Sequence, residues 1–243
     1  MAERPIFIPW TTGHRLVREI CFDFHWNPGF APAQKKKNVV ALHQAAAAKG
    51  YSPLLEVSTK SEEKLGQRLS AFSLKVESQE HGPIPLECAY QGSKVFERGG
   101  PFTDLYLADA REAKKDTRIR ESGRIVAFRF EDCEFPTEPK TAFYDWLYSR
   151  AIFPHRDFLR RLESYAGFTD IEFNPGKSLN CQARSCAIFV AMMKRGILAK
   201  AQESPAQFIA ALRPDSSSEP APGDNGNVER AGHDDLFCEQ DEP

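Results

Sequence analysis

Strands and helices do not alternate regularly along this chain. That excludes a doubly wound parallel sheet, which is built from a β-α repeat, and leaves a helix-rich α+β arrangement. There is no internal repeat. At 243 residues the chain can bury a full core. It reads as a single domain with an N-terminal extension. Residues 1–50 pack on a core of residues 51–213, and residues 214–243 form a disordered acidic tail.

The local patterns support that division. LVREICFDFHW, residues 16–26, mixes aromatic and β-branched residues, and NPGFAP is a turn set by Pro and Gly. QKKKNVVALHQAAAAKG, residues 34–50, is a helix with Val39, Leu42 and Ala46 on its apolar face and Gly50 as the C′ residue. PLLEVS is a short strand, and RLSAFSLKVES, residues 68–78, is a strand or sheet edge. LECAYQGSKVFE, residues 86–97, is expected to be a helix. DAREAKKDTRIRESG is a charged helix that stops near Gly123. RIVAFRFEDCEF alternates apolar and charged residues as a strand does. KTAFYDWLYSRAIF and HRDFLRRLESYAGF are two amphipathic helices with Pro154 near their junction. NPGKSLN is a turn. CQARSCAIFVAMMKRGIL is an apolar helix, and SPAQFIAALRP is a last helix with Ser204 as its N-cap.

Composition narrows the class. No run of 18 apolar residues exists, so no membrane span is expected. MAERPIFIPW lacks the uninterrupted apolar core of a signal peptide, and the protein is expected in the cytoplasm. Six cysteines, at 21, 88, 133, 181, 186 and 238, show neither CxxC nor zinc-finger spacing. They read as reduced, mostly buried thiols, and no metal is expected. The net charge of −2 conceals an asymmetry. Residues 214–243 hold nine acids against Arg230, so they carry −8 and the preceding residues carry +6. A mildly basic body suits a polyanionic partner. Leu236 and Phe237 are the only sizeable apolar pair in the tail.

Three groups of residues can carry chemistry. On a helix over 86–97, Glu87, Gln91 and Lys94 fall at i, i+4 and i+7, on one stripe. A carboxylate there can stabilise a cationic transition state, and a desolvated lysine can be a nucleophile through a Schiff base. The bland alternative is an exposed ion pair worth about a few tenths of a kcal/mol. In the second group, Trp26 and Phe30 precede Lys35, Lys36 and Lys37. Aromatics beside lysines suit base stacking and phosphate contacts, or else core packing and a solvated helix start. The third group, FTDIEFNPGKSLNCQARS, places Asp170, Asn180 and Gln182 around a turn into a helix N-terminus, where an anion or sugar can bind. No P-loop, GxGxxG, HExxH or Ser/Cys-His pattern is present.

The segment RLSAFSLKVESQEHGPIPLECAYQGSKVF resembles the core of the NADAR superfamily. Ser70 and Phe72 match its Ser-Asn-Phe element. Glu87, Gln91 and Lys94 match its acid, amide and lysine, with Tyr90 beside them. AREAKKDTR, ending in Arg118, is similar to its Ala-(Arg/Lys)-x-x-Gly-Arg helix, and Asn180 takes the place of an Asn before its last helix. Cys88 stands where His is usual, Ala71 where Asn is usual and Ala183 where Gly is usual. Asp170 or Glu172 replaces the acid of the usual Trp-Gly-Asp. FHWNPGFAPAQKKKNVVALH is similar to the branch that accompanies DarT-type DNA ADP-ribosyltransferase toxins.

The resemblance implies a YbiA-like α+β fold, no cofactor, and an antitoxin that cleaves ADP-ribose from guanine bases of DNA. Its partners would be ADP-ribosylated DNA, the ADP-ribose product and a cognate DarT-like toxin. Glu87 and Lys94 would be catalytic. Ser70, Phe72, Tyr90, Gln91, Arg118, Asp170, Asn180 and Gln182 would hold ligand. Trp26, Phe30, Lys35, Lys36 and Lys37 would meet DNA. Two other functions remain open: an N-glycosidase of riboflavin-pathway intermediates, and a module that binds ADP-ribose or modified DNA without turnover.

Overall fold

A computed structural model describes residues 1–212, so the tail assigned to residues 214–243, with Leu236 and Phe237, lies outside the described residues. The fold is mixed α+β, and the strands among the described residues form three sheets. The largest has the order β2-β1-β9-β3 and uses β1 (Ala2–Pro9), β2 (Val17–Phe24), β3 (Leu54–Glu56) and β9 (Gly167–Thr169). Strands β1 and β2 form an antiparallel hairpin, while β3 and β9 run parallel. The second sheet pairs β4 (Lys75–Ser78) with β5 (Gly82–Pro85). The third, in the order β6-β7-β8, is built from β6 (Lys94–Phe96), β7 (Ile125–Phe130) and β8 (Cys133–Pro136).

Alternation along β1 explains the layering. Successive side chains point to opposite faces. Ile6 therefore packs under helix α1 (Pro32–Ala47), against Val39, Leu42 and Ala46, while Phe7 joins the main core. Two short helices, α2 (Lys64–Arg68) and α3 (Leu86–Gly92), follow. After them come α4 (Ala110–Lys115) and α5 (Thr117–Glu121). Helix α6 (Ala142–Ile152) is buried on nearly every side, as expected of a helix that is apolar all round. Past α7 (Arg156–Leu159), helix α8 (Gln182–Lys194) packs on α6 on one side and on β1 and β9 on the other. Asp145, buried on α6, ties these two helices together. It accepts from Arg184 Nη1 at 2.7 Å and from Ser185 Oγ at 2.6 Å. The chain then forms α9 (Leu198–Ala201) and α10 (Pro205–Leu212), where Ser204 Oγ accepts from the Gln207 amide at 3.2 Å, as an N-cap does.

Several expectations from the sequence need correction. The helix expected over 86–97 ends at Gly92, and Lys94–Phe96 becomes β6. The charged helix is split into α4 and α5 by Asp116, whose carboxylate caps the second piece through the Arg118 amide. The strand at 124–135 is a hairpin that turns at Glu131, which has φ +52°. The second amphipathic helix, 155–168, is reduced to α7, a 3-10 turn over Arg160–Ser164 and strand β9. RLSAF lies in the end of α2 and a turn, with the strand beginning only at Lys75. Gly50 lies one place beyond C′, after the Ala48 cap, with φ +87°. The five described cysteines are free thiols. Among the described residues no helix is long and apolar enough to cross a membrane.

Candidate active site

Two glycines place Lys94. A Cβ on Gly92 would lie 2.6 Å from Tyr106 Cε1, so only glycine lets that ring close the end of α3. A Cβ on Gly100, at φ +82°, would lie 2.3 Å from the Lys94 carbonyl oxygen. The chain between them turns at Ser93, whose carbonyl accepts from the Arg129 amide at 2.7 Å, and Lys94 pairs with Phe128 of β7. Lys94 thus leaves the helical stripe for a strand, yet its side chain returns to the same place. Its Nζ donates to Gln91 Oε1 at 2.6 Å, and Gln91 Nε2 donates to Glu87 Oε1 at 2.7 Å. Lys94 and Gln91 are buried and Glu87 is half-buried. Burial pulls the Lys94 ammonium down to about 8; Glu87 opposes the shift and Lys114 on α4 adds to it.

Tyr90 is the floor of this group. Lys94 Nζ lies 4.9 Å above its ring, within cation–π range. Phe128 and Phe143 stack against the same ring at 5.8 and 6.1 Å. Burial pushes the Tyr90 hydroxyl up to about 12, while the neighbouring Asn180 side chain counters it. Asn180 Oδ1 is buried and has no partner among the described residues.

A second polar corner lies where β3 and β9 end and α8 begins. Gln182 Oε1 accepts from the Ala71 amide at 2.7 Å and from Ser70 Oγ at 3.4 Å. Asp170 is buried beside Gln182, and its Oδ1 accepts from the Glu172 amide at 3.1 Å. Burial raises the Asp170 carboxyl to about 6. Behind it stands Glu56, raised to about 8 by burial and by the Asp170 charge. Glu56 takes hydrogen bonds from Ser58 Oγ and Thr169 Oγ1, both at 2.6 Å, and from the Ile171 amide at 2.9 Å. Thr169 Oγ1 also meets His43 Nε2 at 2.8 Å. Tyr144 on α6 lies near both corners. It is close enough to feel both Glu87 and Asp170, and its ring meets Tyr90 edge-on.

With the geometry in view, sequence comparison gives a direct answer. The family model of the DarT1-associated NADAR antitoxin matches residues 2–222. The chain belongs to this family. The resemblance drawn from Ser70, Glu87, Gln91, Lys94 and Asn180 is therefore borne out as a family assignment. No match was found among curated proteins.

In this NADAR antitoxin the expected site residues fall into three sets. Glu87, Tyr90, Gln91, Lys94 and Asn180 converge, and Ser70, Asp170 and Gln182 form the adjoining corner. Phe72, on the loop that brings Ser70 and Ala71 to Gln182, is 73% exposed. Arg118 lies on α5 with its guanidinium taken up by Asp104 Oδ2 at 2.6 Å and Asp116 Oδ2 at 2.8 Å. Trp26 is half-buried, with the Arg4 guanidinium at 5.4 Å and Lys35 Nζ at 5.5 Å from its ring centroid. Phe30 is 99% exposed, and Lys36 and Lys37 are exposed on the second turn of α1. Helix α1 reaches the Asp170 corner through His43, eight residues beyond Lys35 and so about 12 Å further along the helix. Sequence reasoning missed Tyr144, Glu56 and Lys114. Only Lys114 carried a signal, since it lies within AREAKKDTR, the segment similar to the family's Ala-(Arg/Lys) helix. Among the described residues no group of three His, Cys, Asp or Glu could hold a metal ion.

Proposed function

We propose that this protein hydrolyses the N-glycosidic bond between ADP-ribose and guanine in DNA, reversing the modification made by a DarT-type toxin. The observation that supports this most is the hydrogen-bonded Lys94–Gln91–Glu87 chain, buried at its Lys94 end. A lysine lowered to about 8 has a usable neutral fraction near pH 7, which an exposed lysine lacks. Its neutral amine attacks C1″, and the bond to the guanine nitrogen breaks. The base leaves with a proton, and the amine gives one up. Oxocarbenium character develops at C1″ as that bond stretches, and the Glu87 carboxylate stabilises it. The sugar opens to a protonated imine on Lys94. Water adds to that imine, releasing ADP-ribose and the free amine.

The rest of the site has the donors and acceptors that this substrate needs. Asn180 Oδ1 is a free acceptor for a ribose hydroxyl, and the positive end of the α8 dipole favours the pyrophosphate. Asp170 and Gln182 bound the sugar on the other side. Trp26, exposed Phe30 and Lys35–Lys37 offer ring faces and cations to a base held out of its duplex and to the strand around it.

The test is turnover. An oligonucleotide carrying ADP-ribosylated guanine is incubated with about one hundredth as much protein, and free ADP-ribose is measured. Many moles released per mole of protein supports the hydrolase. Release that stops at one equivalent or less means that the protein binds the modification without repairing it.

A further inference from the structure

Glu87 and Lys94 do not touch: no ion pair joins them within 4.0 Å, and Gln91 stands between. The orientation of its amide is forced. In its ammonium form a lysine can only donate, and an ionised carboxylate can only accept, so when both are charged Oε1 must face Lys94 and Nε2 must face Glu87. Gln91 is 6% exposed and its bond to Lys94 is buried, so water does not readily replace it there. A direct pair would hold Lys94 as ammonium, since an opposite charge in contact favours the charged form. A neutral amide satisfies the same hydrogen bond with much less preference for the charge.

We propose that Gln91 is a positioning residue, a neutral spacer that fills the place where an ammonium–carboxylate pair between Lys94 and Glu87 would otherwise close. This rests on the reading of Lys94 as the reactive amine and gives Gln91 a role other than ligand binding. The groups facing Nζ are Gln91 and the Tyr90 ring from α3, with Glu87 beyond them, and Lys114 from α4. Tyr90 and Glu87 favour the ammonium, while burial and Lys114 oppose it. The spacer keeps Glu87 from outweighing those two. Both side chains therefore stay available, Lys94 as an amine and Glu87 as an unpaired carboxylate.

The test reads the amine directly, without turnover. Full-length protein is acylated with limiting acetic anhydride across about pH 6 to 10. The modified peptide containing Lys94 is quantified by mass spectrometry. The wild type is expected to titrate with a midpoint of about 8. In Gln91→Ala the side chains of Lys94 and Glu87 can meet, and the midpoint should rise by about one to three pH units. In the double variant Glu87→Gln/Gln91→Ala it should return to the wild-type value or below. Gln91→Glu keeps the volume but puts a charge against Nζ, and its midpoint should also rise. It decides the question if the alanine variant does not fold. A wild-type midpoint in the folded single variants, or an elevated midpoint that persists in the double variant, overturns the proposal. If the midpoints move as expected but no ADP-ribose is released by the wild type, the spacer stands and the proposed function fails.

Discussion

The rings of Tyr90 and Tyr144 meet edge-on, with centroids 5.4 Å apart and planes at 89°. Tyr144 comes from α6 and Tyr90 from α3, so this contact packs the helix that carries Glu87 and Gln91 against α6, which Asp145 ties to α8. Removing the ring in Tyr144→Ala should cost about 3–5 kcal/mol, the usual loss for a buried large aromatic. In a domain of this size that lowers Tm by about 10 °C. Tyr144→Phe keeps the ring and should melt within about 3 °C of wild type. Calorimetry that finds the two variants equally destabilised would show that the ring contact is not what holds α3 against α6.

Glu56 sets a stability limit at high pH. Burial and the Asp170 charge raise its carboxyl from 4.5 to about 8. The folded form keeps this proton where the unfolded chain has lost it. Its stabilising effect is complete below about pH 4.5 and is lost as pH rises through about 8. Between about pH 6 and pH 9 the wild type should lose more than about 3 °C in Tm, the equivalent of roughly 1 kcal/mol. Glu56→Gln, which stays neutral, should lose distinctly less over the same interval. Equal pH slopes for the two proteins would contradict the protonated state assigned to Glu56.

Parts of this arrangement were legible in the sequence. Helices α1 and α8 followed from their apolar faces, and Glu87 with Gln91 from helical spacing. Lys94 was found for an incomplete reason. The helical stripe ends at Gly92, because the β-branched and aromatic run Lys94–Phe96 pairs with β7. What restores the contact is the length of the Lys94 and Gln91 side chains, which spacing does not report. Strand β1 escaped notice because Pro5 and Pro9 discourage a strand. Pro5 is tolerated because β9 pairs with β1 only at Phe7, leaving the Pro5 position without a ladder partner on that side. Tyr144 sits among the aromatics of a buried helix, where a site residue and a core residue look alike. Glu56 looked like one polar residue in a short strand, and its partner Asp170 lies 114 residues away in sequence.

DNA contact should appear as salt dependence. If Lys35 and Lys36 neutralise phosphates, KM for a modified oligonucleotide should rise steeply with salt. KM for ADP-ribose linked to a single guanosine should change far less. Replacing both lysines with alanine should flatten the oligonucleotide slope. Equal salt response for the two substrates would remove the α1 face from the substrate path.

Glu87→Gln and Lys94→Ala should each lower kcat by at least about 100-fold, the low end for positioned acid–base or covalent catalysis. ADP-ribose affinity should change little for Glu87→Gln, because its charge acts mainly in the transition state. Steady-state kinetics with isothermal titration calorimetry separates the two effects. A Glu87→Gln protein that loses affinity but keeps kcat would make Glu87 a binding group.

Trapping the intermediate tests the covalent role of Lys94 most directly. Borohydride is added while the wild type is turning over ADP-ribosylated guanine in an oligonucleotide, and the protein is digested and mapped by mass spectrometry. An imine at Lys94 is reduced to a stable amine, so the peptide containing Lys94 should gain the mass of the reduced sugar adduct. Lys94→Ala should carry no adduct at all. An adduct on the peptide holding Lys35–Lys37 instead, or a Lys94→Ala protein that still turns over at the wild-type rate, would contradict the nucleophile assigned here.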